Sequence, residues 1–490
     1  MDAYLGKKLL NKLKTEISDA FGEIKAKTKE ETWFLLSIAV LTILFVASMF
    51  AEPLIYVVSV FIISLSIIFD FEHNICLLLF CYTFDSIFHV NLFGSNFNLI
   101  TIVYSFIVFA CGTKYLISVC KKKEKINISL LTPLILFLIY ILIPVHKIRI
   151  YDSLKFITAV AMFYLLIVSK KKVNIKKVVF YASVGLILAS FVSLLAPLAS
   201  RMPAILGYYT NLGRAKFEGL FVNPNIFAIF SALILVFICY YCLQEKNYFW
   251  FLLLIPISIF AYMTLSRDYL ICLVIMIICY SIIVIIKRNK RSAISFLFIL
   301  LTFITVGLSQ FNNTKVYLIR FNIIPYGSVE VKKTPPSILS ENKETNDDNT
   351  DQEIWIDGTA KDPGRIGIWK RYLKDFVSSP DKIIFGSGIS AEELGMGPHN
   401  FYLQFIWQFG ILGFVIAIFA FLRVLVKLFK NFKSSSTNVL VAMVLFIWCV
   451  ESLFFDLTFV TALILFIISS EGEYESISNR ASLQSRTISK

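Results

Sequence analysis

Histidine is scarce in this chain, four in 490 residues, and His399 stands in GMGPHNFYLQF directly before an apolar run. Neutral imidazole is a natural base near pH 7; a lone histidine at a helix start can equally be a cap or an interface residue. Arginine supplies the second chemistry. Arg149, Arg201, Arg214 and Arg267, with Lys216, lie next to the ends of apolar segments. A guanidinium there can snorkel to lipid headgroups or present its planar fork to phosphate oxygens. Arg267 is the most constrained, because LSRDYL leaves only about three residues between two apolar runs. It must lie at a membrane surface or in a cavity, a functional position by default. Asp268 beside it offers a pairing that would make it structural instead. Two or three such arginines on one side of a membrane suit a diphosphate.

Other polar groups are weaker candidates. Asp70-Phe71-Glu72 is a D-x-E of the kind metal-dependent glycosyltransferases use, and Asp351-Gln352-Glu353 is another within an acidic run, where a solvated tail is the default. Asp85 and His89 stand four apart in an apolar run, where they share a helix face and can bond each other or a substrate. Glu451 and Asp456 suit the end of a final hairpin. Cys239 and Cys242 form a CxxC without a second pair or a histidine nearby, so the nine cysteines read as small hydrophobes. No metal site and no cofactor are expected.

The elements that must position these groups are membrane helices. The chain is 57% hydrophobic and 16% charged, against about 45–50% and about 25% in soluble domains; the mean hydropathy is +0.75. Apolar runs long enough to cross a bilayer recur along it, which excludes a soluble enzyme, a coiled coil, a disordered chain and an outer-membrane barrel. The fold expected is all-α and polytopic. Spans are predicted near 33–50, 54–69, 75–90, 99–119, 128–145, 153–169, 178–199, 226–243, 248–265, 269–286, 294–310 and 401–426. A tight hairpin over about 438–470 brings the total to about 12–14.

Residues 1–32 repeat Leu5, Leu9, Leu13, Ile17, Phe21 and Ile24 as an amphipathic helix, on the membrane surface or in the cytosol. No cleavable signal peptide is visible. The net charge is +14. The basic runs at Lys121–Lys125, Lys170–Lys177, Lys287–Arg291 and Lys427–Lys433 fall on the same side as the Lys-rich N-terminus, which makes that side cytoplasmic. They orient the chain and do not point to nucleic acid. The opposite side receives residues 200–225, the Ser266–Asp268 turn and one large loop, 311–400. That loop holds a flexible acidic excursion and then one amphipathic helix through Trp369, Tyr372, Leu373 and Phe376, bounded by Pro363-Gly364 and Pro380. The domains are thus 1–32, a bundle over 33–310, the loop 311–400, C-terminal spans over 401–470 and a polar tail, 471–490.

Four segments in this order resemble the O-antigen polymerase and ligase superfamily. The segment from His399-Asn400 to Gly410-Ile-Leu-Gly413 looks like that family's His-Asn…Gly-x-x-Gly signature. Upstream, Arg365, Trp369, Pro380, Gly386 and Gly388 resemble its lead-in. GRAKFEGLFVNPNIFA resembles its loop through Arg214, Gly219, Asn223, Pro224 and Asn225, and LSRDYL its Ser-Arg turn, with Asp268 where a small residue is usual. The likeness covers about residues 205–425.

The resemblance implies a metal-independent glycosyltransferase of the bacterial inner membrane, its active site facing the periplasm or exterior. Its partners would be a polyprenyl-diphosphate-linked glycan donor, a glycan or lipid-linked acceptor, the bilayer and a chain-length regulator. His399 would be the general base, and Arg214 and Arg267 the diphosphate clamp. Arg365, Lys216, Asn223, Asn225 and Asn400 would bind substrate. The motifs fit a polymerase of repeat units or a ligase that moves a finished glycan to lipid A-core. A flippase for the same lipids is the rival from another class; it predicts internal repeats, and none is seen.

Overall fold

In this computed structural model the described residues are 29–92, 95–122, 173–195, 208–211, 214–217, 219–221, 223–244, 249–310, 364–388 and 400–430, with isolated positions between 135 and 165 and between 439 and 444. The expected N-terminal helix lies outside them, as does most of the spans near 128–145 and 153–169, of the C-terminal hairpin and of the 311–400 loop.

The first helices are α1 (Lys29–Phe50), α2 (Leu54–Ile68), α3 (Phe71–Tyr82), α4 (Ile100–Lys122) and α5 (Ile175–Ser193). After them come α6 (Pro224–Gln244), α7 (Phe249–Met263), α8 (Arg267–Lys287) and α9 (Lys290–Ser309). Six of these, α1, α4, α5, α6, α8 and α9, are long and apolar enough to cross a membrane. α6 is the axis of the bundle: 89% of its apolar window is buried, against 22% for α8 and α9. The latter two turn Ile278, Ile282, Ile285, Ile286, Leu301, Ile304 and Leu308 outward. Apolar surface this continuous is not stable in water and matches a bilayer, where helices satisfy their own backbone bonds.

The expected third span, 75–90, is corrected. α3 stops at Tyr82, Asp85–Phe88 form a 3-10 turn, and β1 (His89–Leu92) pairs antiparallel with β2 (Ser95–Asn98), His89 opposite Asn98. The helix tightens at Thr83, whose hydroxyl donates to Phe80 O at 2.7 Å. The helical ladder ends where Ser86 N donates to Leu220 O at 2.8 Å, and the Asp85 carboxylate accepts from Asn98 Nδ2 at 2.9 Å. A second hairpin, β3 (Tyr208–Asn211) with β4 (Arg214–Phe217), precedes α6. These short ribbons are additions to an otherwise helical fold.

Beyond the bundle helices lie α10 (Gly364–Phe376), α11 (Pro380–Phe385) and α12 (Phe401–Lys430). α10 is the amphipathic helix expected through Trp369–Phe376. Its Ile368, Tyr372 and Phe376 pack on Trp407 of α12, with the Tyr372 and Trp407 rings edge to face at 4.9 Å. α12 is broken at Gly410, with φ 65° and ψ −177°. The carbonyls freed there are satisfied from elsewhere: Ser387 N donates to Trp407 O at 2.8 Å and Gly388 N to Gln408 O at 2.9 Å, and the Tyr140 hydroxyl lies 2.6 Å from Phe409 O.

Candidate functional site

Three segments distant in sequence converge at the hairpin end of the bundle. Phe217, which ends β4, stacks on Phe260 of α7 at 5.2 Å and meets Phe227 of α6 edge-on at 5.4 Å. Phe221 meets Tyr82 of α3 at 5.3 Å, and Ser86 N donates to Leu220 O at 2.8 Å. The strand carrying Arg214 and Lys216 is thus fastened between the Asp85–Phe88 turn and the end of α7.

Four residues past Met263, the last residue of α7, Arg267 opens α8. The turn between is tight: Leu265 has φ 53°, a left-handed conformation unusual for a branched side chain. Thr264 Oγ1 donates to Ala261 O at 2.7 Å and takes the Ser266 N–H at 3.2 Å. Ser266 occupies the cap position without a side-chain capping bond. Its hydroxyl is buried and has no partner among the described residues. Arg267 is exposed while Asp268 is buried. Among the described residues no ion pair joins the two, so the pairing that would have made Arg267 structural is not formed. An exposed guanidinium at a helix N-terminus adds a full charge to the unsatisfied N–H groups and favours an anion.

The other predicted residues divide. Asn400 caps α12, its Oδ1 accepting from Leu403 N at 2.9 Å, and Asn223 caps α6, its Oδ1 accepting from Asn225 N at 2.8 Å. Capping explains both asparagines on structural grounds. Asn225 is partly buried in the first turn of α6. Arg365 lies in the first turn of α10, and His399 falls outside the described residues, one position before the Asn400 cap. The start of α12 packs on α10, whose Asp375 takes Trp407 Nε1 at 2.8 Å and Lys382 Nζ at 2.6 Å. Burial opposes the charge on Asp375, but the Lys382 and Trp407 bonds hold its carboxyl below the usual carboxylate range. Gln404 and Gln408, four apart on α12, are buried at 8% and 7% exposure, and Gln404 Oε1 has no partner among the described residues. Sequence reasoning missed both; two amides at helical spacing inside an apolar run were the available signal.

At the opposite end of the bundle, α1, α3 and α5 are tied by charge. Lys177 Nζ bonds Glu31 at 2.9 Å and Glu72 at 3.0 Å and stands 2.8 Å from His73 Nε2. Asp70 caps α3 through the His73 N–H at 2.9 Å and receives His73 Nδ1 at 2.8 Å. Hydrogen bonding from His73, against the opposing effect of burial, holds the Asp70 carboxyl well below its ordinary range. The D-x-E of the sequence is therefore a cap and an ion-pair partner. Among the described residues one group, Glu30 with Asp70 and His73, brings metal-ligand atoms within 4.8 Å of one another. The Lys177 ammonium already supplies positive charge beside it. Lys177→Met strands Glu31 and Glu72 together; a loss of about 3 kcal/mol in unfolding free energy is expected, read from denaturation of the protein in detergent.

Cys239 and Cys242 are buried, unbridged thiols within α6. No protein-family model, curated protein or solved structure matches this chain.

Proposed function

We propose that this protein is an integral membrane glycosyltransferase that polymerises polyprenyl-diphosphate-linked repeat units of an O-antigen or capsular-type polysaccharide, at the outer face of a bacterial cytoplasmic membrane. The observation that carries this reading is the stacking of Phe217 on Phe260. It supports a common site for the two segments that bear Arg214 and Arg267, which the sequence separates by more than 50 positions. The exposure of Arg267 at a helix start supports a diphosphate there.

In this reading the acceptor hydroxyl passes its proton to His399 as its oxygen attacks the anomeric carbon. The bond from that carbon to the diphosphate oxygen breaks, and its electron pair leaves with the lipid diphosphate. Arg214 and Arg267, with Arg365 and Lys216 as further cations, stabilise the charge that develops. Asn223 and Asn225, in and before the first turn of α6, and Asn400, before α12, bind substrate in this reading. Attack opposite the leaving group inverts the anomeric centre.

The test is the product formed by purified protein from one lipid-linked repeat unit. Longer chains that remain on lipid diphosphate, with the new linkage inverted by NMR, are expected. A glycan moved whole to another acceptor would identify a ligase, and a retained configuration would rule out direct displacement. Arg267→Ala is expected to weaken binding of undecaprenyl diphosphate by roughly tenfold or more, since a hydrogen bond between charged groups is worth about 1.5–3 kcal/mol. Unchanged affinity in both Arg214→Ala and Arg267→Ala would discard the clamp.

A further inference from the structure

α10 carries two apolar faces, and the packing of the fold accounts for one. Ile368, Tyr372 and Phe376 recur at four-residue steps and close on Trp407. Ile366, Leu373 and Val377 recur at steps of seven and four, a separate stripe of the same helix. They stand 66%, 49% and 61% exposed. Val377 N donates to Leu373 O at 3.1 Å, so the helical turn carries the stripe past Phe376. Lys370, Arg371 and Lys374 border it, all exposed. Among the described residues none of these three makes an ion pair, and the nearby Asp375 is taken by Lys382.

Three observations name what lies against the stripe. The first is continuity. Gly386 sets the end of α11 directly on Gly410 of α12. Ile384, just before that join, and Ile411, just after it, are both exposed, and Leu412 and Val415 of α12 follow. The open apolar surface of α11 therefore runs into that of an apolar membrane helix. The second is composition. A helix with one apolar and one basic side is suited to the headgroup region, its apolar side against the acyl chains. The third is charge. Lysine and arginine stems lie along apolar surface and carry their charge to the phosphate level, where anionic lipid attracts it. A second copy of the same face would instead set these cations against one another.

We infer that this second apolar face of α10, together with Ile384 of α11, docks on the bilayer surface. Ile366, Leu373 and Val377 enter the boundary of the acyl chains, and Lys370, Arg371 and Lys374 meet the phosphates of anionic phospholipid. α10 is then an interfacial anchor. It fixes the height of the α12 start over the membrane, and with it the place of the residues just before that start. The inference needs only the membrane character of the helices and holds for an enzyme or a carrier.

The test uses full-length protein in lipid nanodiscs, with Cys120→Ser in every labelled protein because Cys120 is exposed. Nitroxide labels are placed on Leu373→Cys, Val377→Cys and Arg371→Cys. They are relaxed by oxygen, which concentrates among acyl chains, or by a water-soluble nickel chelate. The labels at positions 373 and 377 are expected to relax several-fold more with oxygen, and the label at position 371 with nickel. In unlabelled protein, hydrogen exchange over 366–377 is expected to be about fivefold slower in phosphatidylglycerol than in phosphatidylcholine. That difference should vanish in the triple variant Lys370→Gln, Arg371→Gln, Lys374→Gln, with exchange of α6 as the control for an intact bundle. Labels at 373 and 377 that nickel reaches as readily as at 371 would place the stripe in water, and labels that neither reagent reaches would place it under protein. Either result overturns the docking. Equal exchange in the two lipids, or a difference that survives in the triple variant, would overturn the anionic contact.

Discussion

His399→Ala is expected to lower the rate of glycan transfer by about 10²–10⁴-fold, the usual contribution of a positioned general base. A sugar hydroxyl is a poor nucleophile until its proton leaves, and no other histidine stands in the family-like segments of this chain. His73 is engaged with Asp70 and Lys177 at the opposite end of the bundle. His89 has its Nε2 taken by Asn98. The measurement is single-turnover transfer by purified protein, alongside binding of undecaprenyl diphosphate. The clamp consists of arginines, so binding should survive in the variant while transfer does not. Transfer within a few-fold of wild type would end the assignment of His399 as base and would favour a carrier of lipid-linked glycan over an enzyme.

Gly410→Ala is the second. Gly410 has φ 65° and ψ −177°, and Gly386 has φ 78° and ψ −178°, a region of backbone space open essentially to glycine alone. The two glycines also face each other. A Cβ at Gly410 would overlap the Ile384 carbonyl, and one at Gly386 would overlap the Gln408 carbonyl. Backbone strain contributes about 1–3 kcal/mol at such a position, and the overlap adds to it, because backbone on the other side cannot rotate away. Either substitution should therefore free α10 and α11 from α12 while the bundle around α6 stays folded, since the Tyr372–Trp407 cluster is separate from the main core. Hydrogen exchange over residues 364–388 should rise by at least tenfold in rate, with protection of α6 unchanged. Native protection of α10 in Gly410→Ala would show that the join tolerates a side chain. Transfer should fall in the same variant, because the α12 start that follows His399 is set by this join.

Much of this molecule is legible as a string of residues. The described helices α1, α2, α6, α8 and α9 begin and end within a few residues of the apolar runs, because a bilayer leaves each helix to satisfy its own backbone and to cover it with apolar side chains. The amphipathic α10 and the three-residue turn before Arg267 were readable for similar local reasons. The third span was misread because Phe84, Ile87, Phe88 and Val90 continue the apolar run, and nothing local announces that Asp85 bonds Asn98, 13 positions away. Lys177 was read as one charge in a basic run, yet its ammonium holds Glu31 and Glu72 from two other helices.

Hydropathy, which acts residue by residue, was enough to mark a mostly helical chain with long apolar helices. Together with charge it also marked Arg267 and His399 as costly groups at helix ends. The tertiary structure decided which distant segments meet. It stacked Phe217 on Phe260 and so fastened the Arg214 strand beside the α7–α8 turn. It set Gly386 against Gly410, and it joined Asp85, His89 and Asn98 into one network. Each of these depends on close packing between segments far apart in the chain. Burial and hydrogen bonding reward such contacts only after the fold has closed, so no window of the sequence contains them.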